Sequence, residues 1–158
     1  MSFRELPLPE GHVGHLLLSA MPGRWEPWPQ AAHALAKARV DLVVCLNPLD
    51  EIAMVSPGYH AAIAAQELPC RWLHVPMRNF GLAEQAKAFQ SGVEQVVRSL
   101  ALGETVLIHC AAGMGRTGSM AACVLKRLGL GRLEALERVR AAGSNPESAA
   151  QSGLIDRF

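Results

Sequence analysis

Apolar residues along the chain follow two alternating rhythms: short continuous runs, and longer stretches with a spacing of three to four. The first rhythm is that of buried strands and the second that of helices. His15 to Ala20 is a short apolar run closed by Met21-Pro22-Gly23, which predicts a strand and a turn. Pro27 to Arg39 carries Ala and Leu at helical spacing. Val40 to Leu46 is apolar apart from Asp41 and is stopped by Asn47-Pro48, as expected of a strand. Pro57 to Gln66 predicts a helix, with Ser56 as its N-cap and Pro57 in the first turn. Arg71 to Pro76 reads as a further short strand. From Leu82 to Leu102, Phe89, Val93, Val96, Val97 and Leu100 recur on one stripe, and Gly103 ends that helix. Thr105 to His109 is a buried strand, and helices follow over Thr117–Leu128, Arg132–Ala142 and Pro146–Phe158.

Strands alternating with helices predict an α/β fold: a central, mostly parallel sheet of four to five strands with helices on both faces. There is no repeat and no low-complexity linker, so residues 1–158 are expected to form one domain. In such sheets ligands bind beyond the carboxyl ends of the strands. The loops over residues 47–51, 76–84 and 110–116 are therefore the places to look for chemistry.

Composition narrows the classes. Half of the 158 residues are hydrophobic and 18% are charged, a folded composition. A formal net charge of +1 offers no electrostatic case for nucleic acid or a membrane surface as partner. No apolar run approaches the roughly 20 residues a membrane span needs. The four cysteines, Cys45, Cys70, Cys110 and Cys123, form no C-x-x-C pair and no metal-ligand spacing. With no leader read at the N-terminus, the expectation is a reduced, cytoplasmic protein. His12 and His15 are the one close histidine pair, too few ligands for a metal site, so no metal and no cofactor are expected.

The segment His109-Cys110-Ala111-Ala112-Gly113-Met114-Gly115-Arg116-Thr117-Gly118 joins a buried strand to a helix. Gly113 and Gly115 let the backbone curl, which can turn the N–H groups from Ala111 to Gly115 toward one anion. The helix N-terminus adds its positive end at the same point. Arg116 stands where its planar fork can grip two phosphate oxygens. The same field favours the Cys110 thiolate, since helix N-termini and cations bring thiol pKa values to about 3.5–7.5. Such a sulfur facing a phosphate monoester can attack it, giving a cysteinyl-phosphate that water hydrolyses. Thr117 can donate its hydroxyl to the sulfur. His109 is expected to bond backbone groups and shape the loop.

His-Cys-x5-Arg-Thr-Gly resembles the signature of the protein-tyrosine phosphatase superfamily. The chain as a whole resembles a compact bacterial or archaeal dual-specificity phosphatase. Segments around Ser19–Gly23, Val43–Leu46 with Glu51, and Val75–Gly81, together with Arg140 and Gln151, fall where that family has similar ones. The resemblance implies the cysteine phosphatase fold and metal-free hydrolysis of phosphate monoesters through Cys110 and Arg116. It implies phosphorylated proteins or peptides as substrates, phosphotyrosine foremost, and phosphate, sulfate or vanadate as loop ligands. Low-molecular-weight phosphatases and arsenate reductases also use Cys-x5-Arg, but near the N-terminus after the first strand. The uncharged Ala111, Ala112 and Met114 speak against a lipid-directed enzyme, whose relatives often carry basic residues there.

One departure concerns the proton donor for the leaving group. The family pattern Pro-x-x-Asp-Phe-Gly has Asn79 here at the Asp position, so Asn79 can contact substrate but cannot donate the proton. Of three aspartates, Asp41 opens a strand at the wrong edge and Asp156 is near the end. Asp50, after the strand ending at Leu46, is the preferred acid. Glu51 and Glu84 are rivals, with Glu51 also able to brace the arginine, and Glu147 with Gln151 could handle the hydrolytic water. An enzyme with no acid would be restricted to good leaving groups; the alternatives to a phosphoprotein phosphatase are a phosphate-binding module with weak or no turnover and a phosphatase for small phosphoesters or phosphoinositides. Cys45, Cys70 and Cys123 are expected as core residues rather than redox partners of Cys110, and Trp25, Trp28 and Trp72 as packing residues. Met77, Arg78 and Phe80 are candidates for the pocket mouth.

Overall fold

The computed structural model describes residues 1–78, 86–147 and 153–158. Its core is one five-stranded sheet. The strands are β1 (Arg4–Leu6), β2 (His15–Ser19), β3 (Leu42–Cys45), β4 (Arg71–His74) and β5 (Thr105–His109), in the order β1-β2-β5-β3-β4. Only β1 runs antiparallel to its neighbour; the pairs β2–β5, β5–β3 and β3–β4 are parallel. The last strand to be made thus takes the central position, flanked on both sides by strands already in sequence before it.

Among the described residues six helices connect and cover the sheet: α1 (Trp28–Lys37), α2 (Leu49–Val55), α3 (Pro57–Ala65), α4 (Ala86–Ala101), α5 (Gly115–Arg127) and α6 (Arg132–Ala141). Strand periodicity sorts the core into two sides. Leu16, Leu18, Val44, Val106 and Ile108 pack with α4, α5 and α6. Val43, Cys45 and Leu107 face the other way, toward side chains of α1, α2 and α3 such as Leu35, Ile52 and Tyr59. The fully buried residues include every one from Thr117 to Leu125, so α5 runs through the interior rather than along the surface.

The expected elements are present, with differences that have physical causes. β1 was not foreseen: three residues are too short for a period, and Arg4–Leu6 becomes a strand only by pairing with Leu16–Leu18. α2 falls inside what reads as a loop, between Pro48 and Ser56, and buries a single side chain, Ile52. Ser56 precedes α3 but does not cap it; its hydroxyl donates to the Pro22 carbonyl at 2.8 Å, a tertiary bond that wins over the local one. The expected helix over 146–158 does not begin at Pro146: residues 144–147 are not helical, and the described end holds one turn, Gly153–Ile155. Leu154 and Ile155 are nevertheless buried, and Phe158 meets Phe89 edge-on at 6.0 Å. Residues 82–85 of the long expected helix, Asn79, Phe80, Glu84 and Gln151 lie outside the described residues.

Candidate active site

Register brings four strand ends into one row. Ser19, His109, Cys45 and His74 are paired neighbours across β2, β5, β3 and β4. The segments after them leave the sheet along one edge, and Cys110 stands at its centre. Alternation puts the Cys110 side chain with Val106 and Ile108, on the α5 side, and His109 on the opposite side.

His109 is completely buried, which lowers its pKa to about 4. Its neutral ring fits one hydrogen-bond pattern. The Cys110 carbonyl can only accept, so Nδ1, 3.1 Å away, carries the proton. Nε2 is then an acceptor, and the Tyr59 hydroxyl donates to it at 2.8 Å. The Tyr59 oxygen in turn accepts from the Trp72 indole N–H at 2.9 Å. The chain of donors from Trp72 through Tyr59 to His109 ends on the carbonyl of Cys110 and fixes the strand-to-loop turn.

The loop amides are oriented through their carbonyls. In a planar trans peptide the C=O of one residue and the N–H of the next point in opposite directions, and the described chain has no cis bond. The Ala111 carbonyl accepts from Met21 N–H at 3.2 Å, and that of Met114 from the N–H groups of Gly118 (2.8 Å) and Asn145 (3.3 Å). The Gly113 carbonyl is taken by Ser144 Oγ and Arg4 Nη2, each at 2.6 Å. The N–H groups of Ala112, Met114 and Gly115 are therefore turned the other way. No backbone carbonyl among the described residues accepts an N–H of residues 111 to 116, and no side chain caps α5. Such unclaimed donors at a helix N-terminus are what an anion binds to. Gly113 has φ of +74° and its missing Cβ would stand 2.5 Å from the Ser19 backbone, so only glycine fits.

Cys110 is 3% exposed, and its sulfur accepts the Thr117 hydroxyl at 3.0 Å. Arg116, from the first turn of α5, is also nearly buried. Its Nη1 and Nη2 donate end-on to the two oxygens of Glu51, each at 2.8 Å, and Nη1 donates its second hydrogen to the Met77 carbonyl at 3.0 Å. Three of the five guanidinium hydrogens are thereby used. Among the described residues the other two, on Nε and Nη2, have no partner; they lie side by side along one edge of the plane, the edge that grips a phosphate or carboxylate in bidentate fashion. Burial works against the Arg116 charge, but the Glu51 bonds more than offset it, so its pKa is raised.

Two acidic candidates thus separate. The hydrogen bonds from Arg116 hold the Glu51 carboxyl below the usual carboxylate range. A carboxylate kept ionised is a poor proton donor, and the structure places Glu51 as the bidentate partner of Arg116. Asp50, beside it in the first turn of α2, is exposed and forms an ion pair with Arg78 at 3.6 Å. Met77 is buried rather than at a pocket mouth and contributes only its carbonyl. Asp41 accepts Thr105 N–H at the far end of the sheet, as its position implies.

The remaining cysteines are free thiols. Burial pushes Cys45 and Cys123 up to about 12 and Cys70 to about 11, so none is readily ionised. Trp28 and Trp72 pack as expected, but Trp25 does not: it is exposed, with the Arg24 guanidinium 4.5 Å over its ring. Trp25, Glu26 and Gln30 line an open cleft of about 660 Å³ that reaches Ala112 and Met114 at the edge of the loop. Arg4 and Ser144 join the site without appearing among the residues the sequence points to. Neither carries a sequence signal, because both reach it only through the folding of β1 and of the segment after α6.

Similarity to known proteins agrees with this geometry. A family model described as the Swiss Army Knife protein, DSP-PTPase phosphatase domain, matches residues 25–152. No curated protein sequence matches the chain. Among solved structures, kinase associated phosphatase, with its catalytic-site cysteine changed to serine, superposes with a TM-score of 0.86 at 18% identity. That match covers 100% of this chain and 93% of the other. Tk-PTP in its active form gives 0.73 at 22% identity, covering 98% and 95%. PTPMT1 in complex with PI(5)P gives 0.68 at 19% identity, covering 90% and 88%. At these identities the structures establish the fold, and among the described residues no helix is long and apolar enough to cross a membrane. With the family model spanning most of the sequence and the fold matching throughout, the chain belongs to the dual-specificity-type phosphatase domains of the protein-tyrosine phosphatase superfamily.

Proposed function

We propose that this phosphatase hydrolyses phosphate monoesters on proteins, phosphotyrosine foremost, through a cysteinyl-phosphate on Cys110. The observation that carries the reading is the pair of Arg116 donors with no partner among the described residues, beside a loop whose Ala112, Met114 and Gly115 N–H groups are turned away from the carbonyl partners that hold it. Phosphate oxygens bind the amides of Ala111 to Gly115 and the Arg116 fork. The sulfur, as the thiolate, attacks phosphorus in line; the S–P bond forms as the P–O bond to the leaving group breaks. Water then attacks phosphorus, the S–P bond breaks, and phosphate leaves. Thr117, already donating to the sulfur, stabilises it as it departs in this second step. Glu51 holds Arg116 so that its fork faces the phosphate rather than solvent.

Asp50 is the proposed proton donor to the leaving oxygen. It lies at the carboxyl edge of the sheet, one residue from the arginine's brace, and is solvent-accessible. With Asn79 where the related pattern has Asp, proton donation is the weak point of the site. Phenols leave more readily than alkanols, which favours phosphotyrosine over phosphoserine and phosphothreonine.

A second reading, phosphoinositide hydrolysis, draws on the likeness to PTPMT1, which was crystallised with PI(5)P. The uncharged Ala111, Ala112 and Met114 offer a polyphosphorylated headgroup no extra cation in the loop. Rapid-quench analysis with p-nitrophenyl phosphate should show one equivalent of phosphoenzyme, absent in Cys110→Ser. Turnover should then be compared on phosphotyrosine peptides, phosphothreonine peptides and PI(5)P. A protein that binds vanadate without forming phosphoenzyme is a phosphate-binding module, and the proposal fails; faster turnover of PI(5)P than of any peptide selects the second reading.

A further inference from the structure

Resting on that reading of the loop, we propose that Arg4, on the edge strand β1, is a positioning residue for phosphate binding. With Ser144 it clamps the Gly113 carbonyl outward and so aims the Met114 N–H at the anion.

The clamp is built from both ends of the chain. Arg4 Nη2 donates to the Gly113 carbonyl at 2.6 Å, and Arg4 Nη1 donates to Ser144 Oγ at 2.9 Å and the Ala142 carbonyl at 2.8 Å. Ser144 has a single hydroxyl hydrogen and gives it to the same Gly113 carbonyl at 2.6 Å. Both lone pairs of that oxygen are therefore engaged, one of them by a charged donor, which makes the stronger kind of bond. The segment after α6 is shaped around the guanidinium: Gly143 has φ of +88°, and a Cβ there would lie 2.9 Å from Arg4 Nη1. Asn145 N–H, two residues on, holds the next loop carbonyl, that of Met114.

A clamp is needed at this peptide because Gly113 is its first residue. The facing of the 113–114 peptide is set by ψ of Gly113 together with φ of Met114, and glycine, with no Cβ, leaves that ψ little restricted, so Gly113 does not by itself decide the orientation. One orientation offers the anion an N–H; the reverse offers it a carbonyl oxygen, which repels a dianion. Two short bonds to the oxygen select the first. They also polarise the peptide, which strengthens the N–H as a donor. Burial lowers the Arg4 pKa and the nearby Cys110 sulfur opposes that change, so the guanidinium and the sulfur share one electrostatic neighbourhood.

The alternative is that Arg4 merely docks β1. A second arginine makes that distinction testable, since Arg138 Nη1 holds the same N-terminal segment through the Pro7 carbonyl at 3.3 Å and, among the described residues, makes no side-chain hydrogen bond to the loop. Inorganic phosphate affinity is measured by isothermal titration in phosphate-free buffer, alongside melting temperature and p-nitrophenyl phosphate kinetics. The full chain is compared with Arg4→Met, Arg4→Lys, Ser144→Ala and Arg138→Met. Arg4→Met is expected to weaken phosphate binding about tenfold, the usual scale for losing a charged hydrogen-bond donor, and to raise KM in parallel. Arg4→Lys, keeping the charge and one donor, should recover part of the loss, and Ser144→Ala should weaken binding less than Arg4→Met. Arg138→Met should lower melting temperature while leaving phosphate affinity unchanged. Phosphate affinity within twofold of wild type in Arg4→Met overturns the clamp. If Arg4→Met does not fold, unchanged affinity in both Arg4→Lys and Ser144→Ala overturns it equally. Wild type that binds phosphate without turning over substrate refutes the phosphatase chemistry and leaves the clamp to be judged on binding; wild type that binds no phosphate refutes both.

Discussion

Acid should destabilise this protein in part through one identifiable residue. His109 is fully buried with a pKa of about 4, against 6.5 for the free side chain. Protonation puts a charge in the core and a second N–H on the ring, leaving the Tyr59 hydroxyl without its acceptor. Because the folded-state pKa is the lower one, the unfolded chain binds the extra proton between these two values, and stability falls as pH falls through that window. The contribution is fully present above about pH 7. About 2 kcal/mol is lost by pH 5 and about 3 kcal/mol below pH 4, at 1.36 kcal/mol per pKa unit. Surface carboxylates titrate over part of the same range, so the test is differential. Urea unfolding at pH 7, 6 and 5 is compared between wild type and His109→Gln, which cannot titrate. His109→Gln should be less stable at pH 7, because its fit to Tyr59 and the Cys110 carbonyl is poorer, but should lose about 2 kcal/mol less on going to pH 5. Parallel stability curves for the two proteins between pH 7 and 5 would refute the argument, as would an imidazole NMR titration placing His109 near 6.5.

Three further outcomes follow from the site. Glu51→Gln leaves the nearly buried Arg116 without its charge partner, and because the Glu51 carboxylate is itself partly exposed the loss should fall below the roughly 3–5 kcal/mol of a fully buried pair; kcat/KM should drop by at least about a hundredfold and melting temperature should fall. Gly113→Ala forces φ of +74° on a residue with a Cβ and drives that Cβ to 2.5 Å from the Ser19 backbone; vanadate inhibition should be lost even where circular dichroism reports a folded protein. Asp50→Asn should slow turnover of phosphothreonine peptides by about tenfold or more while sparing p-nitrophenyl phosphate, whose leaving group needs little protonation; equal effects on both substrates would remove Asp50 as the acid.

The local alphabet of this chain carried its α/β architecture and the heart of its site. Continuous apolar runs mark strands because a parallel sheet buries both faces, and Thr105–His109 followed at once by Cys110, two glycines and Arg116 is legible because strand, loop and helix are consecutive residues. What the sequence left open depends on groups far apart in the chain. That Glu51 is the partner of Arg116 follows from two oxygens meeting two nitrogens across 65 positions. That Tyr59 and Trp72 anchor His109 requires α3 to be brought against the sheet face that β4 and β5, on either side of β3, both contribute to. β1 has no period of its own and exists only as the partner of β2, yet through it Arg4 reaches Gly113, 109 residues away. Periodicity and motif report what neighbouring residues prefer. A hydrogen bond between distant segments is decided only when the burial of both faces of the sheet has fixed where each segment lies.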